Sequence, residues 1–165
     1  MVRSVSSEEI QIVPFRGEFA GAFAELNYDW IEKYYRVEPH DRELLDSPVE
    51  QIIRKGGEIF FAVFNNKPVG TVALIDHSRS EFELAKMAVA SEFQGRGIGK
   101  LLMKACVEHA RSVGKTQIFL ESNTGLTPAI ALYRNFGFEE VPLDPNTNYS
   151  RANIRMRLAL SNPKG

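Results

Sequence analysis

The chain has 165 residues, 44% of them hydrophobic and 25% charged, with a formal net charge of −1; this composition suits one globular domain spanning 1–165 and excludes disordered and fibrous classes. The near-neutral balance gives no general pull toward nucleic acid or an anionic membrane, so any basic site must be local. No apolar run reaches the roughly 20 residues of a membrane span, and Met1 to Glu9 lacks the apolar core of a signal peptide.

A reducing cytoplasm is therefore the default location. The single cysteine, Cys106, excludes an internal disulfide and reads as a packed thiol, and His40, His77 and His109 are scattered without ligand spacing, which argues against a metal site.

Taken in chain order, the polar start through Glu9 reads as a loose end and Ile10 to Phe15 as a first strand. Phe19, Phe23, Leu26, Trp30 and Tyr34 recur at three-and-four spacing, which predicts an amphipathic helix over 17–37 ended by Pro39. Asp41 to Lys55 reads as one or two short helical pieces, broken at Pro48 and closed by Gly56-Gly57. Glu58 to Phe64 and Pro68 to Asp76 flank Asn65-Asn66-Lys67 as a hairpin, and Glu81 to Ala90 continues the meander. A helix follows from Ile98, its apolar stripe of Leu101, Leu102, Ala105, Cys106 and Val113 stopped by Gly114. Thr116 to Glu121 reads as a buried strand, Thr127 as an N-cap with Pro128 opening a helix through Asn135. Phe138 to Val141 and Asn153 to Leu160 are the last strands, before a polar tail at 161–165.

The stretch that carries chemistry is Gln94-Gly95-Arg96-Gly97-Ile98-Gly99, between a strand and a helix. Glycines let the backbone turn sharply and approach a ligand, and the first free N–H groups of the following helix direct partial positive charge at an arriving phosphate. A P-loop would need Lys-Ser or Lys-Thr after the last glycine, and a dinucleotide fingerprint would need Gly-x-Gly-x-x-Gly in the first βαβ unit; this loop has neither.

The pattern resembles motif A of the GCN5-related N-acetyltransferases (the GNAT superfamily), Gln/Arg-x-x-Gly-x-Gly/Ala. The likeness extends to Glu83-Leu84-Ala85-Lys86-Met87-Ala88-Val89, which looks like the family's fourth strand, and to Ala131-Leu132-Tyr133-Arg134-Asn135-Phe136-Gly137-Phe138, which looks like its Leu-Tyr-x-x-x-Gly-Phe segment. The resemblance implies an α/β (α+β) GNAT fold: a mixed, mostly antiparallel sheet of about seven strands, helices on both faces, and a wedge between the fourth and fifth strands for acetyl-CoA. It implies that the cosubstrate lies on Met87, Ala88 and Val89, that its pyrophosphate meets the backbone of Gln94, Gly95, Arg96, Gly97, Ile98, Gly99 and Lys100, and that Asn123 steadies the pantetheine. Tyr133 is then the acid that protonates the departing thiolate. Glu83, eleven residues before Gln94, stands at the offset of the general-base glutamate in the family's histone-acetyltransferase branch, which makes it the candidate base for an amine mostly protonated near neutral pH, with an orienting strand carboxylate as the alternative role and Glu81 as the fallback.

For the acceptor, family anatomy points to the first two helices and the loop before the last strand, which gives Trp30, Tyr34, Tyr149 and Arg151, and the candidate base Glu83 joins them from the fourth strand. Arg151 in an otherwise neutral loop could grip a carboxylate bidentately, which favours an amino-acid-like amine. The expected activity is N-acetylation of a small-molecule primary amine, with a protein or peptide N-terminus, or a non-catalytic acyl-CoA-binding module, as alternatives. Family members often form homodimers, but no interface is legible here.

Overall fold

The structure is a computed structural model and describes residues 9–160. The loose ends expected at 1–9 and 161–165 lie outside the described residues, apart from Glu9.

Strand β1 (Gln11–Pro14) leads into helix α1 (Ala20–Tyr34), which buries Phe23, Asn27 and Ile31 one turn apart. The helix stops earlier than Pro39, because Tyr35 is already extended, at φ −148° and ψ −163°. Pro39 instead opens α2 (Pro39–Asp46), where a missing N–H costs nothing, and a capping box between Glu38 and Asp41 closes the helix start. A π-helical turn (Val49–Ile53) precedes β2 (Glu58–Phe64), which is joined to β3 (Lys67–Asp76) through Asn65 and Asn66, both at positive φ as a primed turn demands. Then come β4 (Glu81–Val89), α3 (Ile98–Ser112), β5 (Gln117–Ser122), α4 (Thr127–Asn135), β6 (Glu139–Val141) and β7 (Ile154–Ala159). The cap of α4 falls on Leu126 rather than Thr127, which is already helical and makes no capping bond.

All seven strands form one sheet in the order β1-β2-β3-β4-β5-β7-β6, antiparallel except for β4 beside β5. Strand alternation sends Phe82, Leu84, Ile118, Leu120 and Met156 to one face, where α3 covers them with Ile98, Leu102, Met103, Cys106 and Ala110, and α4 with Tyr133. Ile59, Phe61, Val63 and Ala73 face the other way, under Phe23 and Ile31 of α1 and Leu44 and Leu45 of α2. The mixed sheet with helices on both faces therefore matches the architecture the resemblance implies. Cys106 is fully buried, and burial pushes its thiol well above the ordinary range, which makes it inert packing.

The feature that positions the site is where β4 and β5 part. Their parallel pairing runs only from Glu81 with Gln117 to Glu83 with Phe119, although β4 continues to Val89 and β5 to Ser122. Beyond Glu83, β4 carries a bulge against β3: Lys86 and Met87 stand opposite the single residue Val72, and Lys86 takes φ +59°. A bulge bends its strand and sharpens its twist. The carbonyls and amides of β4 past Glu83 thus have no ladder on the β5 side, and a wedge opens there.

Candidate active site

The wedge is part of a cavity of about 670 Å³ that runs from α1 to the start of α3. At its α3 end, Gly95 and Gly97 sit at φ +76° and +81°, and no atom lies within 4 Å of where a Cβ would stand on either. Gly97 is the N-cap and supplies no side-chain cap, and the first bond of the helix runs from the Leu101 N–H to the Gly97 carbonyl. The N–H groups ahead of Leu101 have no partner within the helix and form a ready anion cradle with the positive end of its dipole. Gln94 pins the loop to β4 by donating from Nε2 to the Val89 carbonyl at 3.1 Å. Gly99 lets the helix come close: a Cβ there would lie 3.3 Å from Leu132 and 3.7 Å from the Met87 sulfur.

In the middle of the cavity, Met87, Ala88 and Val89 of β4 face Tyr133 of α4. The Tyr133 ring packs 5.9 Å from Phe138, and burial pushes its phenol up to about 12, so it holds its proton at neutral pH.

At the other end lies Glu83, 6% exposed, on the last paired register of β4 and β5. Its Oε1 is 2.7 Å from Nε2 of His77, whose side chain is 40% exposed in the β3–β4 turn. Beside it is a buried charge cluster. Asp41 is fully buried and accepts from Arg151 Nη2 at 2.7 Å, from Arg151 Nη1 at 2.9 Å, from the Glu38 N–H at 2.8 Å and from Lys86 Nζ. Glu38 adds a second contact to Arg151 Nη1 at 3.1 Å and accepts the Ser150 N–H at 3.0 Å. Burial works against the Asp41 carboxylate, but Arg151 and Lys86 outweigh it and hold the group well below the usual range; burial pulls Lys86 down and Asp41 pulls it back up. Tyr149 lies between the two cations, 4.6 Å from Lys86 Nζ and 4.5 Å from the Arg151 guanidinium carbon, and its buried hydroxyl has no hydrogen-bond partner among the described residues. Trp30, Tyr34 and Tyr35 add an aromatic wall, with Trp30 5.4 Å from Tyr34 and 5.9 Å from Tyr35.

An uncapped helix start behind a glycine loop, a splayed strand pair and a carboxylate within one cavity are what the sequence resemblance leads one to look for, and comparison with known proteins settles the family. The profile of the Acetyltransferase (GNAT) family matches residues 24–138. This chain is a GNAT domain. N-acetyltransferase 8F1 of Rattus norvegicus is 32% identical over 89 residues, 51% of this chain and 40% of that protein. The chain spans under half the length of the curated relatives it matches. Among solved structures, a GNAT-family acetyltransferase of Staphylococcus aureus superposes with a TM-score of 0.83 at 20% identity, covering 92% of this chain and 99% of its own. The acetyltransferase yncA of Salmonella typhimurium, solved with acetyl-CoA, gives 0.73 at 20% identity over 93% and 95% of the two chains. These neighbours share the GNAT fold.

Of the residues singled out in the sequence of this GNAT domain, all but Arg96 line the one cavity. Arg96 lies with its guanidinium carbon 5.4 Å from the centre of the Phe93 ring. Trp30 and Tyr34 sit on the helix stripe, but Trp30 is half-buried against the core while Tyr34 is 48% exposed. Two roles change. The Arg151 fork, expected to be open to an acceptor carboxylate, is closed on Asp41 and Glu38 and holds the 142–153 segment to α2. The Asn123 side chain is likewise occupied, donating to the Arg151 carbonyl at 2.8 Å and accepting the Gly125 N–H at 2.8 Å. Sequence reasoning missed Asp41, Lys86 and His77. The Glu38-Pro39-His40-Asp41 capping pattern could have flagged Asp41 as a helix-start residue; nothing local marks the other two.

Among the described residues no helix is long and apolar enough to cross a membrane, and no group of His, Cys, Asp and Glu could hold a metal ion.

Because the folded Asp41 carboxylate is held below its unfolded value, its stabilisation is complete above about pH 5 and is lost progressively as the pH falls from the ordinary carboxylate range toward the lower folded value. Asp41→Asn leaves Lys86 without its direct buried partner and Arg151 with Glu38 alone, and is expected to cost about 3–5 kcal/mol near neutral pH. Urea unfolding at several pH values should show that cost shrinking as the wild type itself loses stability toward about pH 3.

Proposed function

We propose that this chain is an acetyl-CoA-dependent N-acetyltransferase acting on the primary amine of a small molecule. The observation that carries the reading is one cavity in which an uncapped helix start, a buried proton-bearing phenol and a buried carboxylate lie in sequence, the order in which phosphate, leaving thiol and incoming amine must sit.

The residues present fit the cosubstrate: the open glycine cradle suits a pyrophosphate, and the unpaired β4 edge over Met87 to Val89 suits an extended amide-bearing arm. When bound, acetyl-CoA supplies the acetyl group as a thioester. The chain's own groups do the rest. Free N–H groups on β4 polarise an adjacent carbonyl. Glu83 takes a proton from the acceptor ammonium, and Tyr133, kept protonated by burial, gives one to the leaving sulfur. On the acceptor side the aromatic wall and the orphaned Tyr149 hydroxyl favour an amine with an apolar or aromatic body and one hydrogen-bonding group. With Arg151 closed on Asp41, the amino-acid-like acceptor loses the residue that favoured it.

The test is release of free thiol from acetyl-CoA across a panel of arylalkylamines, polyamines, amino acids and peptide N-termini. Turnover confined to the peptides would move the activity to protein acetylation. Tight CoA binding with no thiol release on any amine would leave a binding module.

Two variants probe the donor side. Tyr133→Phe keeps the ring and removes the hydroxyl, so kcat should fall by about 10²-fold with the acetyl-CoA dissociation constant little changed. Gly97→Asp places a negative charge at the cradle and should weaken CoA by more than about tenfold, roughly 1.4 kcal/mol, in calorimetry. Gly97→Asn, whose side chain tolerates positive φ and carries no charge, should weaken it less.

A further inference from the structure

Acetylation of an ammonium ion leaves a proton over. An R–NH3+ acceptor and a thioester become an amide, a thiol and one free proton: one N–H hydrogen ends on sulfur, one stays on the amide, and the third must leave the site. Glu83 can accept it, but at 6% exposure inside the cavity it has little contact with the water that must finally receive it.

His77 lies on the far side of that carboxylate. It comes from the turn after β3, its Nε2 stands 2.7 Å from Glu83 Oε1, and its ring is 40% exposed, so one side chain touches both the buried base and solvent. The ring is held rather than swinging free: it stands edge-on to Phe119 of β5, centroids 5.0 Å apart at 80°. The charged groups around it are Glu83 and Glu81 from β4 and Arg155 from β7. Glu81 is engaged by the Gln117 amide at 2.6 Å, and Arg155 is directed to Glu121 at 3.4 Å and to the Phe119 ring, which leaves Glu83 as the direct partner of the imidazole.

We propose that His77 carries the proton taken up by Glu83 from the acceptor amine out to bulk water. The inference rests on the reading of Glu83 as the base. While Glu83 is ionised the neutral ring donates its Nε2–H to the carboxylate. Once Glu83 holds the amine's proton, the ring passes to the Nδ1–H tautomer by exchange with solvent, Nε2 accepts that proton to give an imidazolium beside a carboxylate, and the Nδ1 proton is lost to water, which restores both the Glu83 anion and the starting tautomer. The Glu83 hydrogen bond raises the imidazole above its ordinary value, against the burial that would lower it, which makes the ring a willing receiver. His77 touches neither substrate and acts through Glu83.

The experiment compares His77→Gln, His77→Ala and Glu83→Gln in the full chain, with the best amine of the panel as acceptor. His77→Gln keeps a donor for Glu83 but cannot take up a proton. Its kcat is expected to fall on the order of tenfold, less than a direct acid–base group loses, with turnover rising as buffer concentration rises and the pH profile of kcat altered. His77→Ala opens a space at Glu83, and added imidazole should restore its turnover. His77→Gln with the wild-type kcat, pH profile and indifference to buffer overturns the relay, as does a loss in both variants that neither buffer nor imidazole relieves, which would make His77 a support for Glu83. Glu83→Gln separates the two ideas. If it retains kcat, the base reading itself falls; if it loses kcat while His77→Gln does not, the relay alone falls.

Discussion

The Asp41 carboxylate, buried and shared between Lys86 and Arg151, is the contact on which the shape of this site depends. It sits at the third position of α2, yet its partners come from β4 and from the segment before β7. Lys86 is the residue at positive φ in the β4 bulge, a conformation unfavourable to a side-chain-bearing residue unless its surroundings hold it. With its ammonium bound at Asp41, the bulge is fixed, and β4 bends away from β5 beyond Glu83. Removing water from two cations and two anions carries a large cost, and the pairing offsets it only because Asp41 is met by several donors at once. The cluster is therefore better understood as a device that sets geometry than as a source of stability.

The same pairing decides the electrostatics of the two ends of the cavity. Lys86 and Arg151 are cancelled by Asp41 and Glu38, so the acceptor end presents Glu83 and aromatic faces without an open cation. The other end has the reverse character, a helix start whose donors have no side-chain cap. An anion is drawn to one end and a cation to the other. Between them Tyr133 stays neutral through burial alone, which suits a group that must hold its proton until a thiolate forms.

How much of this was legible in the sequence follows from the range of the interactions. The elements and the glycine loop depend on neighbours a few residues apart, and period, caps and turn residues record such contacts directly. Pro39 opens α2 rather than ending α1, because proline is as much a helix opener as a helix stop and only the extended Tyr35 shows which applies. Arg151 looked available because its partner Asp41 is 110 residues away, and no local pattern registers a pairing at that separation. His77 has no ligand spacing in the sequence, and its relation to Glu83 exists only because the β3–β4 turn folds back beside the strand it precedes.

The segment between β6 and β7 borders the acceptor end, yet Pro142 to Asn148 contribute no buried side chain, and the segment is tied down by Thr147 to Glu121, by the Ser150 backbone to Glu38 and by Arg151. Apart from Thr147, its anchors are thus separate from its exposed surface. A lineage could rewrite six of those seven positions, all but Thr147, and with them the edge that meets the amine, without disturbing the sheet, the donor cradle or the buried ions, so that selectivity here can drift while fold and chemistry stay in place.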